Sequence, residues 1–232
     1  MVIKYPAAIH AYQVYQMSHS PLLKTDGNNK LKGTPDKFYY DFTDGCCEFF
    51  ITDTRTERDP KNNEIVSEEQ MSNLLSWLNN NSKLVKFVVS SVPFFPDTKK
   101  TSTDKWSGFK SQRDTIISHI QKHKIKNVVF LSGDVHCSMS AELDIGTDKN
   151  PLKIYSIISS AFYWPYPHMK RSNFKLDGYV SSAKDEKAYK LGKISEVYSS
   201  DNFTRVKVKP TGVNIEVFNR KGGREHVDDF TF

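Results

Sequence analysis

Asp134 and His136 stand two residues apart in Leu131-Ser132-Gly133-Asp134-Val135-His136, at the end of a short apolar run. A carboxylate oxygen and an imidazole nitrogen are both metal donors. If the loop stays extended, side chains at i and i+2 project to one side and could meet one metal or flank two. A pair of metals about 3.5–4 Å apart neutralises the non-bridging oxygens of a phosphate ester and makes water a strong nucleophile at neutral pH. Gly133 permits the sharp backbone turn that a crowded loop needs. The plainer alternative is that Asp134 caps a turn and His136 is a satisfied loop histidine. The spacing by itself is compatible with both.

Other residues carry weaker chemistry. His119 and His123 are four apart, which on a helix could chelate a metal, but the Glu of a zinc-protease His-Glu-x-x-His is missing. The polar face of an amphipathic helix explains them better. Cys137 reads as a buried thiol before it reads as a soft ligand. There is no Gly-x-Ser-x-Gly elbow and no glycine-rich phosphate loop ahead of a helix, which argues against serine hydrolases and nucleotide folds.

The elements that must position these residues follow from periodicity. A short helix is expected from Ala7 to Met17, and a polar loop over 24–37. A hairpin spans 38–52, with Asp44-Gly45 as its turn. A helix covers 67–80: Ser67 and Gln70 form a capping box, and Met71, Leu74, Leu75 and Leu78 make one face. The run at 84–90 is a strand buried on both faces, closed by Pro93 and Pro96, with a polar loop over 97–105. A second helix spans 108–123, with Phe109, Ile116, Ile117 and Ile120 inward, and a short strand follows at 127–131. That strand–helix–strand unit implies a parallel pair. Strands at 138–145 and 152–158 look antiparallel. Alternation at 204–208 and 213–217, around Pro210-Thr211-Gly212, gives a C-terminal antiparallel hairpin. The expected fold is α/β, with mixed β-sheet layers flanked by helices.

Composition sets the outer bounds. The 232 residues suit one domain, with hydrophobic content of 38% and charged content of 26% in the globular range. A net charge of +6 without a Lys/Arg block favours anionic ligands in general and leaves no nucleic-acid partner expected. Three cysteines, two of them adjacent, make no disulfide framework. No apolar run reaches membrane-spanning length, and Met1 to Pro6 lack the apolar core of a signal peptide.

Several blocks together resemble the PhoD-like alkaline phosphatases, of the calcineurin-like metallophosphoesterase superfamily. They are Phe49-Phe50-Ile51-Thr52-Asp53-Thr54-Arg55-Thr56-Glu57-Arg58, then Gln70 with Trp77-Leu78, then the strand at 86–93. After these come Trp106-Ser107-Gly108-Phe109 with Arg113-Asp114, then 128–136, then Ser159-Ser160-Ala161-Phe162-Tyr163-Trp164-Pro165. They occur in one order over roughly residues 38–165. The resemblance implies a metal-dependent phosphate mono- or diesterase acting through a metal-activated water, with Asp134 and His136 as the last two ligands. It places Arg55 near the phosphate, with Asp53 and Arg58 beside it. Guanidinium geometry suits bidentate contact with phosphate oxygens. The alternative for Arg55 is a surface ion pair with Asp53 or Glu57. Trp106 and Arg113 read as packing and ion-pair residues.

The resemblance also implies iron and calcium as the family's metals, and further ligands upstream of the segment matched by residues 7–21. Nothing before Asp53 reads as Asp-x-His, Gly-Asp or Asn-His, and His10 and His19 do not reproduce those motifs. The expectation is therefore a single domain over 1–232 that lacks the N-terminal half of the metal site. Such a chain is either an enzyme completed by other ligands or a non-catalytic fragment of the same fold.

Overall fold

The computed structural model describes residues 4–17, 27–28, 37–80, 82–100, 103–147 and 149–232. His19 and most of the expected 24–37 loop lie outside them. In chain order the elements are α1 (Lys4–Tyr15), β1 (Tyr40–Asp44), β2 (Cys47–Ile51), α2 (Glu68–Leu78), β3 (Val85–Ser90), α3 (Lys110–His123) and β4 (Val128–Ser132). There follow β5 (Ser138–Asp144), β6 (Lys153–Ser159), β7 (Tyr179–Val180), β8 (Tyr189–Ile194), β9 (Asn202–Lys209), β10 (Gly212–Asn219) and β11 (Arg224–Thr231).

Eight strands form a mixed sheet in the order β1-β2-β3-β4-β6-β5-β8-β7, and three form a second sheet in the order β11-β10-β9. Strands β2, β3, β4 and β6 are mutually parallel, with Val88 beside Phe130 and Leu131 beside Ile157. Strand β5 returns antiparallel to β6, as the pattern predicts. The expected C-terminal antiparallel hairpin is formed by β9 and β10, and β11 adds a third strand on the far side of β10. The hairpin turn at the other end also shifts by one residue. Asp44 pairs with Cys47, which leaves Gly45-Cys46 as the connection. Gly45 adopts φ 56 there, the left-handed backbone that favours glycine at the first central position of a tight hairpin turn.

One face of the large sheet takes α2 and α3. Leu74, Ile116, Ile117 and Ile120 are fully buried there against Val88, Phe130 and Ile154. The other face takes the small sheet, where Val213, Ile215 and Phe230 pack on Phe87, Val129 and Tyr155. The result is helices, sheet, sheet, in that order.

Helix α2 starts where the capping signal says, and Ser67 Oγ accepts the Gln70 amide at 3.2 Å. The reciprocal half of the box is not made. Gln70 is 0% exposed, and its side-chain carbonyl accepts the Asp53 amide at 2.8 Å. Its amide nitrogen donates to the Asp53 carbonyl at 3.1 Å and to Glu57. Glu57 in turn accepts the Ser67 amide at 3.1 Å. A residue expected to cap a helix thus pins the loop that leaves β2.

Candidate functional site at the carboxyl ends of the parallel strands

Because β2, β3, β4 and β6 run the same way, the loops that follow them emerge at one edge of the sheet. This is where ligands gather in open α/β sheets. Thr54, after β2, meets Ser91, after β3, hydroxyl to hydroxyl at 2.6 Å. Gly133, after β4, lies against Ser159 and Ser160 at the end of β6; a β-carbon on it would stand 3.6 Å from the Ser159 carbonyl oxygen. Asp53, Arg55, Asp134 and His136 all sit on these loops.

The loop after β4 is not extended. Asp134 has φ 71 and His136 φ 51, both left-handed, and the Val135 amide donates to the Gly133 carbonyl at 2.9 Å across a three-residue turn. The expectation of an extended loop is corrected on this point. Anchoring of the alternate residues holds the backbone there. Val135 and Cys137 are buried in a small apolar cluster with Met139, Ile158 and Phe174, while Asp134 and His136 stay partly exposed. Burial pushes the Cys137 thiol up to about 12, which makes it a packing group and a poor ligand at neutral pH.

Asp134 faces two cations. Lys105 Nζ lies 3.1 Å from one carboxylate oxygen and Arg55 lies 3.8 Å from the other. Arg55 also donates to Asp104 at 2.7 Å, and Arg58 pairs with the same Asp104 oxygen. Neither Asp53 nor Glu57 is the ion-pair partner of Arg55. Burial by itself would raise the Asp104 carboxyl. The hydrogen bond from Arg58 and the charges of Arg55, Arg58 and Lys105 outweigh that and hold its pKa below the ordinary value. The edge of the site is therefore a half-open cluster of three cations and two carboxylates.

Asp53 is buried, and its lone pairs go to the loop that follows it. One carboxylate oxygen accepts the Arg55 amide at 2.9 Å and the Thr56 amide at 2.8 Å, and the other takes the Thr56 hydroxyl. With the Gln70 contacts, this fixes the loop from which Arg55 projects.

His136 stacks on Trp164, ring centroids 3.7 Å apart and planes 24° apart. Its carbonyl is met by His168 Nδ1 at 2.8 Å, and the other His168 nitrogen lies 3.4 Å from Asp201. Asp201 also accepts the Trp164 amide at 3.0 Å. The segment after β6 thus clamps the His136 loop from above. Lys105, Asp104, His168 and Asp201 were not singled out from sequence, since nothing local marks a residue whose partner lies tens of positions away.

Elsewhere the sequence reading holds. Trp106 is buried and donates to Ser90 at 3.0 Å, and Arg113 is an interior ion-pair residue. The His119 and His123 rings lie 4.4 Å apart on α3; His123 is exposed, while His119 is half-buried with its Nε2 atom enclosed. Among the described residues, no group of three or more His, Cys, Asp and Glu side chains is placed to hold a metal. Asp134 is paired with Lys105 and His136 is stacked on Trp164.

Comparison with known proteins follows the same lines. The PhoD-like phosphatase family matches residues 4–163. The chain is 28% identical over 169 residues to alkaline phosphatase D of Bacillus subtilis (strain 168), covering 62% of this chain and 28% of that protein. It superposes on the solved structure of PhoD with a TM-score of 0.65 at 21% identity, covering 95% of this chain and 45% of that one, a likeness of fold. The chain spans less than half the length of either relative.

Proposed function

The chain belongs to the PhoD-like phosphatase family, and from that premise we propose that its loop cluster binds the phosphoryl group in metal-dependent hydrolysis of phosphate mono- or diesters. The observation that carries this reading is the meeting of Arg55, Lys105 and Asp134 at the carboxyl ends of the parallel strands. An incoming phosphate finds two cations whose present partners are partly solvated carboxylates. Each can turn to a phosphoryl oxygen at small cost. Arg55 supplies the fork, Lys105 the point charge, and Arg58 keeps Asp104 neutralised behind them. Asp53 does not touch substrate in this scheme; it is a positioning residue that holds the Arg55 backbone.

Asp134 and His136 would be metal donors. A bound metal pair would neutralise phosphoryl charge and acidify a water. Each ion usually takes four to six donors, so the remaining ligands must come from outside the described residues. Iron and calcium are suggested by the resemblance; a carboxylate and an imidazole do not select between them. His136 reaches such a site with its ring plane fixed by Trp164 and its backbone by His168, the outer-shell support a metal ligand needs.

A second reading is a non-catalytic fragment of the same fold. What favours it is that Asp134 is already neutralised by Lys105 and that no third donor stands beside it among the described residues. Elemental analysis of the purified chain, paired with aryl-phosphate turnover before and after chelation, separates the two. Bound metal, with turnover that falls on chelation and returns with the metal, supports the enzyme. Turnover untouched by chelator, or by Asp134→Ala, sinks the mechanism. Absence of both metal and turnover decides for the fragment.

A further inference from the structure

Immediately beyond Trp164 the surface carries an unusual run of rings. Phe162 is 77% exposed, Tyr163 72% and Tyr166 64%. Single exposed aromatics need no explanation, but three within five residues beside a charged site do. The run is held in place. Ala161 turns the backbone at φ 73, the Asn202 amide donates to the Ala161 carbonyl at 2.9 Å, and Asp201 takes the Trp164 amide at 3.0 Å. Trp164 is the anchor: one face stacks on His136, and Tyr166 meets it edge-on at 5.2 Å. The connection to the charge cluster is covalent and short, since His136 lies two residues from Asp134, which faces Arg55 and Lys105.

A cationic cluster linked through the His136–Trp164 stack to solvent-facing rings suits a ligand with an anionic end and a flat end. We propose that the Phe162–Tyr166 ledge binds a planar aromatic group on the leaving-group side of a phosphate ester, a nucleobase or an aryl ring. The inference rests on the phosphate-ester reading above. The rings stack on any π-face, so the selection is for planarity and not for hydrogen-bonding pattern. Tyrosine suits such a ledge because two side-chain torsions fix a large contact area at low entropic cost. Phosphate would be held by Arg55 and Lys105, and the ring would lie over Tyr163 or Tyr166.

The test is calorimetric binding to the full chain of four probes: inorganic phosphate, ribose 5-phosphate, adenosine 5′-monophosphate and adenosine. The nucleotide is expected to bind at least about fivefold tighter than the sugar phosphate, the low end of what stacking one base contributes. Tyr163→Ser with Tyr166→Ser, both on the surface and checked by circular dichroism, should erase that preference and leave phosphate binding unchanged. Equal binding of nucleotide and sugar phosphate, or a preference that survives the double variant, overturns the ledge and leaves the phosphate site standing. Adenosine binding that needs the rings, without any phosphate binding, keeps the ledge and overturns the phosphate reading. Association of the chain into dimers that the double variant disperses, with no nucleotide preference, overturns the ledge in favour of a second copy as its occupant.

Discussion

Two aspartate–cation clusters in this chain differ in almost every respect that matters. Asp97 and Arg113 are sealed: Arg113 is 0% exposed and Asp97 6%. The guanidinium engages both carboxylate oxygens, the Phe94 carbonyl at 3.1 Å and the Ser181 carbonyl at 2.7 Å. Asp134 with Lys105 and Arg55 is open, its contacts long at 3.1 and 3.8 Å, and its backbone left-handed. The sealed cluster ties α3 to the loops after β3 and β7. The open one ties nothing that needs tying. The same chemistry serves architecture where both guanidinium ends are committed inside the protein, and recognition where the partners can be exchanged.

The largest effect should come from breaking the sealed pair. Arg113→Ala leaves Asp97 buried without its cation, and urea unfolding should show a loss of about 3–5 kcal/mol. A loss below about 1 kcal/mol would remove the contrast. Asp134→Ala should behave the opposite way. Stability should stay within about 1 kcal/mol of the parent, while turnover of a completed enzyme should fall by more than about 100-fold. Unfolding caused by Asp134→Ala would make the open cluster a structural one. Arg55→Ala is expected to weaken inorganic phosphate binding by about tenfold, read by calorimetry, with Arg55→Lys recovering part of it. Full recovery by lysine would mean that only charge, and no fork, is used.

The smallest effect concerns acid. Glu216 is met by Lys207, Arg205 and Arg224, with burial opposing them, and its pKa is held down to about 2. Asp104 is lowered in the same sense by Arg58 and its neighbours, again against burial. A carboxyl whose folded pKa is depressed stabilises the fold above its unfolded value and loses that contribution as pH falls through the folded value. These two carboxylates should therefore make thermal melts decline from about pH 4 toward 2. Glu216→Gln should flatten the lower part of that decline. A variant that melts in parallel with the parent at every pH would show that the three cations contribute nothing there.

The sequence makes the parallel core legible because β3 and β4 are short, apolar and separated by a helix whose inward residues keep a 3.6 period. The Asp134 loop was legible too, as a location. What stayed hidden has physical causes. Strand β11 points His226, Asp228 and Phe230 inward, and two polar residues on the buried side erase the alternation that marks a strand. Asp228 is tolerated there because Ser140 Oγ reaches it at 2.5 Å and Lys193 pairs with it. In β8 only Leu191 is fully buried, so its pairing with β5 carries no hydrophobic signature. Gln70 was placed on the right helix in the wrong role, since its partners Asp53 and Glu57 lie on another element. The Asp134 loop departs from the extended form because Val135 and Cys137 are anchored below it.

That backbone also bears on how such a chain would age. Left-handed dihedrals at Asp134 and His136 each hold about 1 kcal/mol or more that glycine would release, and asparagine part of it. A lineage that still needs these side chains must keep tolerating the strain. A lineage freed from catalysis would gain stability by drifting to glycine or asparagine at 134 and 136.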